Sequence, residues 1–202
     1  MRVAVLASGE GTNLQVLLDE VHGRDGTEVV AVASDQPGSR AVGRAQAAGV
    51  ETGVFPLEQY GNRVTRDRAM ADWLLSRGSE LVVLAGYMQL LSDEFLAEFP
   101  GMIINVHPAL LPAFPGLHAV EQAIEYGVKV FGVTIHFVDQ GVDTGPVILQ
   151  RAVELPSAGS AEEVLERLHP IEHELLPEAV RLIARGAVRI EPNRPRRVIV
   201  ER

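Results

Sequence analysis

Val3-Ala4-Val5-Leu6-Ala7 is an unbroken apolar run that stops at Ser8-Gly9-Glu10-Gly11-Thr12-Asn13. Leu14, Leu17, Leu18 and Val21 then recur at helical spacing. A segment apolar at every position suits a strand covered on both faces, and the i, i+3, i+4, i+7 spacing is one face of a helix. The same alternation returns through the first half of the chain. Strands are predicted over Glu28 to Ser34, at Val54-Phe55, over Leu81 to Ala85 and over Met102 to Val106. Helices are predicted over Ser39 to Gly49, Arg63 to Arg77 and from the Ser92 cap to Phe99. Strand and helix in strict turn predict an α/β fold, doubly wound, with a mostly parallel sheet and right-handed crossovers. In such sheets ligands sit outside the carboxyl ends of the strands, which directs attention to the loops after Ala7, Ala85 and Val106.

The second half reads differently. Leu110 to Leu117 carries Pro112, Pro115 and Gly116 and is a loop, and His118 to Tyr126 is a helix closed by Gly127. Val130 to Val138 and Val147 to Val153 are strands joined by a glycine-bearing turn, Asp139 to Pro146, and form an antiparallel addition to the sheet. Ser160 and Glu163, at capping-box spacing, open a long C-terminal helix to Arg185, in which Pro170 and Pro177 predict a kink or a split. The segment 191–202, rich in Pro and Arg, receives no element and no role. The expected organisation is a single domain over 1–202, with a nucleotide-binding-like half at 1–100, a catalytic half at 101–187 and the 191–202 tail.

The length of 202 residues and the 47% of hydrophobic residues suffice for a substantial core. A net charge of −9 argues against nucleic acid or an acidic membrane surface as partner. No cysteine is present, which removes disulfides, thiolate nucleophiles and Cys-ligated zinc. No targeting or membrane-spanning run appears, so the expected location is cytoplasmic.

Three groups of residues carry chemistry. Gly9-x-Gly11 follows a strand and opens a helix, where free backbone amides and the helix dipole can cradle a phosphate, with Thr12 adding a hydroxyl. The plain alternative is a tight turn that needs glycine. The dinucleotide fingerprint and the Walker loop are both absent. Asn105 and His107, two apart on a strand, project from one face, and Pro108 helps to end that strand. Asp143 lies in the turn able to fold over the same edge. Each residue alone has an ordinary reading: a satisfied core histidine, a turn-forming aspartate. Together an amide, an imidazole and a carboxylate can stabilise an acyl-type oxyanion. The other histidines are weaker candidates; His136 merely alternates within a strand. No metal-ligand spacing and no Gly-x-Ser-x-Gly elbow occur, so neither a metal nor a serine nucleophile is expected.

With those residues in place, the chain resembles the folate-dependent phosphoribosylglycinamide formyltransferases. The resemblance rests on Val5 to Gln15, Val83-Leu84-Ala85-Gly86-Tyr87-Met88, Ile104-Asn105-Val106-His107-Pro108, Leu110-Leu111-Pro112, Pro115-Gly116-Leu117-His118 and Val142 to Ile148, in that order, and runs to about Ala187. It implies transfer of a formyl group from 10-formyltetrahydrofolate to the amine of glycinamide ribonucleotide, by direct attack through an oxyanion and without a metal. It implies small-molecule partners only, in a monomer or homodimer. On the matching positions it implies that Asn105, His107 and Asp143 are catalytic. Gly11, Thr12 and Asn13 would hold the ribonucleotide phosphate, and Glu172 would contact that substrate. Arg63, Met88, Gln89, Leu90 and Leu91 would line the folate pocket, closed by Asp139, Gln140, Gly141 and Val142. Two positions depart from the pattern: Gln89 stands where arginine is common, and Ala113 where lysine is common. Both remove positive charge near the site and bear on binding of the anionic folate tail or substrate. The rivals are another folate-dependent formyltransferase, a formyltetrahydrofolate hydrolase, or a nonenzymatic nucleotide-binding module that would use the glycine loop alone.

Overall fold

In the computed structural model, which describes residues 1–201, the first apolar run becomes strand β1 (Arg2–Leu6), with Val3 to Leu6 wholly buried. Helix α1 (Thr12–Glu20) follows and buries Leu14, Leu17 and Leu18. Next come β2 (Glu28–Ser34), α2 (Arg40–Ala47), β3 (Glu51–Val54), α3 (Arg63–Ser76), β4 (Leu81–Leu84) and α4 (Asp93–Glu98). Parallel pairing sets the order β3-β2-β1-β4. Chain order is therefore not sheet order: β1 separates β2 from β4, the point at which a parallel sheet reverses direction of growth. Strand β3 begins and ends earlier than the sequence predicts. Its Glu51-Thr52-Gly53-Val54 stretch carries no apolar run, and Phe55 turns instead onto Trp73, with ring centroids 5.7 Å apart.

The chain forms two compact units, Met1–Ile104 and the part from Asn105 onward. Strand β5 (Ile103–His107) runs through the division. The second unit contains α5 (Ala119–Tyr126), β6 (Val130–Phe137), β7 (Val147–Glu154), α6 (Ala161–Ala184), β8 (Val188–Glu191) and β9 (Arg194–Val200). Its strand order is β5-β6-β7-β9-β8. Strands β6 and β7 are antiparallel, Val130 facing Glu154 and His136 facing Val147, as the sequence predicts. The fold class is thus α/β with a mostly parallel sheet, an antiparallel addition and a long C-terminal helix.

Two differences from expectation have physical reasons. Pro170 and Pro177 do not split α6, which runs for 24 residues. Each proline forfeits one helix hydrogen bond and costs about 3 kcal/mol. The buried face of α6 includes Val164, Leu168, Leu175, Leu176, Val180, Leu182 and Ile183. At roughly 1.5–3 kcal/mol for each large apolar side chain buried, that face outweighs both losses. The segment from Glu191, left without an element by the sequence, forms a β-hairpin: β8 pairs antiparallel with β9, and β9 pairs parallel with β7. Its first residues are almost all exposed, so no apolar alternation announces it. Among the described residues no helix is long and apolar enough to cross a membrane.

Candidate active site

The turn after β1 is shaped by one glycine. Gly11 has φ +71°, and a Cβ there would lie 2.8 Å from both Cα and Cβ of Ala41, so conformation and contact each demand glycine. Gly9 meets neither demand. The carbonyls of this turn face α2: Gly9 O accepts from Ala41 N at 3.1 Å, and Glu10 O from Arg44 Nε at 2.8 Å. Thr12 then begins α1, whose first N–H groups have no acceptor within the helix. Exposed Thr12 and buried Asn13 flank that donor-rich end. Gly11 is therefore required for the turn, and the helix start beside it leaves backbone donors unpaired within the helix.

The loop after β4 is held from beneath. Ser8 Oγ accepts from Met88 N at 2.9 Å and donates to Asp35 Oδ1 at 2.6 Å. The fully buried Arg66–Asp67 pair holds the far side, Arg66 Nη2 donating to Leu90 O at 3.4 Å and Asp67 Oδ2 accepting from Ser92 N at 2.6 Å. Met88 and Leu90 are left 58% and 59% exposed, apolar surface with nothing apolar over it in this unit. Gln89 lines a cavity of about 340 Å³ with Asp35, Glu58 and Arg66. Arg63 opens α3 on the exposed side, after the Asn62 cap. Asp35, Arg66 and Asp67 carry no motif and the sequence did not single them out, and Ser8 was given no role within its loop.

In the second unit the predicted trio meets. His107 is buried at the end of β5, and its Nδ1 lies 3.3 Å from Asp143 Oδ2. Asn105 Nδ2 donates to Asp143 Oδ1 at 3.3 Å. A fourth member is His136 on β6, 1% exposed, with Nε2 3.2 Å from Asn105 Nδ2 and 3.5 Å from Asp143 Oδ1. His136 Nδ1 lies 2.8 Å from Phe137 O, which can only accept, so Nδ1 carries a hydrogen. In the neutral ring Nε2 then accepts from Asn105, whereas an imidazolium would turn an N–H toward Asp143. His107 has an acceptor at each nitrogen, Asp143 at one and Phe114 O at 2.8 Å at the other. Both bonds form together only when the ring is doubly protonated.

Asp143 is pulled two ways. Burial pushes its carboxyl up, but His136, the Gly116 N–H at 2.8 Å and the charge on His107 outweigh burial and hold it at about 2. Backbone strain accompanies this placement: Asp143 and Phe114 both adopt φ +52°, a left-handed conformation that side-chain-bearing residues seldom take. Thr134, two residues from His136 on the same face of β6, anchors the loop that carries Phe114. Its hydroxyl donates to Ala109 O at 2.6 Å and accepts from Leu111 N at 3.2 Å. Asp139, Gln140, Gly141 and Val142 form the exposed turn leading to Asp143, and Glu172 is buried on α6. No group of three or more metal-ligating side chains occurs among the described residues.

Comparison with known proteins is consistent along the chain. A family model described as formyl transferase matches residues 1–180. A phosphoribosylglycinamide formyltransferase of Bacillus subtilis is 38% identical over 181 residues, covering 89% of this chain and 93% of that protein. The human trifunctional purine biosynthetic protein adenosine-3 is 39% identical over 193 residues, which is 95% of this chain but 19% of that protein. Among solved structures, glycinamide ribonucleotide transformylase 1 of Symbiobacterium toebii superposes with a TM-score of 0.95 at 45% identity, covering 100% of this chain and 94% of that one.

Proposed function

Because the chain belongs to the formyl transferase family, we propose that it transfers the formyl group of 10-formyltetrahydrofolate to the amine of 5-phosphoribosylglycinamide, a step of purine biosynthesis. The single observation that carries the chemistry is the convergence of Asn105, His107 and Asp143 within one unit at 3.3 Å contacts. Formyl folate supplies the one-carbon group. Its benzoyl ring is matched in kind by the exposed apolar side chains of Met88 and Leu90. The helix start at Gly11, Thr12 and Asn13 suits the ribonucleotide phosphate.

His107, doubly protonated, is the group that stabilises negative charge developing on the formyl oxygen and that protonates the departing folate nitrogen. Asp143 holds the charge on His107 and accepts the amine proton, directly or through water. Asn105 adds a second donor. Every one of these N–H groups already has a partner, so the reaction requires an exchange. His107 Nε2 must release Phe114 O for the substrate oxygen. The left-handed φ of Phe114 means that its carbonyl is held there against a local conformational preference, which lowers the cost of that exchange.

The test is to incubate the purified protein with both substrates and follow folate absorbance. Deformylated folate should accumulate only when the ribonucleotide is present. Equal release without it would make the protein a hydrolase, and no release would remove the transferase reading.

A further inference from the structure

We propose that Arg196, on the C-terminal hairpin, is a positioning residue for Asp143, acting through the backbone of the turn that carries that carboxylate. The inference rests on the transferase reading for its effect on turnover, but not for its effect on the carboxylate. Arg196 Nη1 donates to Thr144 O at 3.0 Å, one residue beyond Asp143. Strand β9 meets β7 where Arg197 pairs with Val147. The hairpin therefore grips the chain on both sides of Gly145-Pro146, where the turn re-enters the sheet. Arg197 also pairs with Glu191 at 3.3 Å, tying β9 back to β8.

The rest of the turn is closed from within. Asp139 Oδ1 accepts from Gly141 N at 3.1 Å and from Thr144 Oγ1 at 2.5 Å. Pro146 O accepts from Phe137 N at 2.9 Å, and Gly145 packs on Phe137 O with no room for a Cβ. The Thr144 carbonyl is the point at which the C-terminal hairpin reaches the backbone of the turn.

Its consequence falls on Asp143. That residue sits at φ +52°, a left-handed conformation uncommon for side-chain-bearing residues, which its neighbours help to hold. Fixing the peptide that follows Thr144 constrains the direction in which the chain leaves Asp143. The carboxylate makes contacts of 2.8 Å to Gly116 N and 3.3 Å to both His107 and Asn105, so a displacement near one ångström breaks them. A guanidinium serves this purpose well because it stays charged throughout the working pH range.

The experiment uses the full chain with Arg196→Met, which keeps the aliphatic stem and removes the donors, and Arg196→Lys, which keeps a donor. Arg196→Met should lower kcat roughly 5- to 10-fold, the loss of one charge-assisted hydrogen bond at a positioning site. KM for the ribonucleotide should stay within about twofold, and Arg196→Lys should recover about half of the lost rate. Independently of activity, carbon NMR of the Asp143 carboxyl should titrate near 2 in the parent and move toward 3.8 in Arg196→Met as its contacts loosen. An unmoved Asp143 titration with parental kcat would overturn the proposal. So would a lower melting temperature with both of those readouts unmoved, since that would make Arg196 purely structural. If the parent transfers no formyl group yet the titration still moves, the transferase reading fails while the positioning role stands.

Discussion

The turn after β1 and the turn between β6 and β7 solve a similar geometrical problem in opposite ways. Each reverses the chain at a strand end, and each contains a residue of left-handed φ, Gly11 at +71° and Asp143 at +52°. In the first the left-handed residue is a glycine, which bears that conformation without strain, and the polar groups left free are backbone N–H groups at the start of α1. In the second a charged residue takes the left-handed conformation, and its own side chain makes the contacts with His107, Asn105 and Gly116 N. The strain there is opposed by an internal Asp139 clasp, by the imidazole and amide partners of the carboxylate and by Arg196 from outside. A turn that leaves backbone donors free can be built from steric fit alone, whereas a turn that aims one carboxylate has to be held.

Breaking the second turn should have the largest effect. Asp143→Asn and His107→Ala are each expected to lower kcat about 100- to 1000-fold, with circular dichroism unchanged. Asp143→Gly should be as inactive as Asp143→Asn, because both remove the carboxylate while glycine and asparagine each tolerate the left-handed conformation. Steady-state rates and melting curves of the three purified variants decide it, and near-parental turnover would remove the assigned roles. The first turn should fail through stability instead. Gly11→Ala adds a left-handed penalty and a clash with Ala41, together about 2–4 kcal/mol, read by denaturant unfolding.

A third effect separates the two turns by pH. The folded carboxyl of Asp143, at about 2, binds protons less readily than its unfolded counterpart near 3.8. The stability it contributes is therefore complete above pH 3.8 and lost as pH falls toward 2, in all about 2 kcal/mol. Unfolding free energies of the parent should drop across that window by more than those of Asp143→Asn, and parallel curves would contradict the ionised contacts. The smallest effect belongs to Gly9→Ala. Its Cβ would meet nothing within 4 Å, so a change within about 0.5 kcal/mol is expected, and a larger one would mean that both glycines, not one, shape the turn.

Legibility in the sequence followed the strength of the local signal. The buried parallel strands and the helices beside them were readable because apolar runs and 3.6-residue periods are dense there, and Glu28–Ser34 matches residue for residue. The alternation of Asn105 and His107 was readable because two polar groups on an otherwise apolar strand are conspicuous. His136 was not, although it is as central as either. Strand β6 is buried along nearly its whole length, so its alternation distinguishes no functional face, and only adjacency to β5 gives His136 its partners. The buried Arg66–Asp67 pair was hidden for a related reason: in a helix pattern two adjacent charges read as solvated until packing places them inside. The hairpin of β8 and β9 escaped because its exposed, Pro- and Arg-rich strands lack the pattern from which strands are inferred.

Local order along the chain thus determined by itself the alternation of strands and helices and the pairing of an amide with an imidazole on one strand face. Those features arise from sterics and periodicity within a few residues. Tertiary structure alone decided that His136 completes the cluster, that Phe114 O occupies His107, and that an arginine more than fifty residues beyond Asp143 steadies its turn. Such contacts join residues distant in sequence, and their existence depends on strand order and packing, which no local pattern encodes.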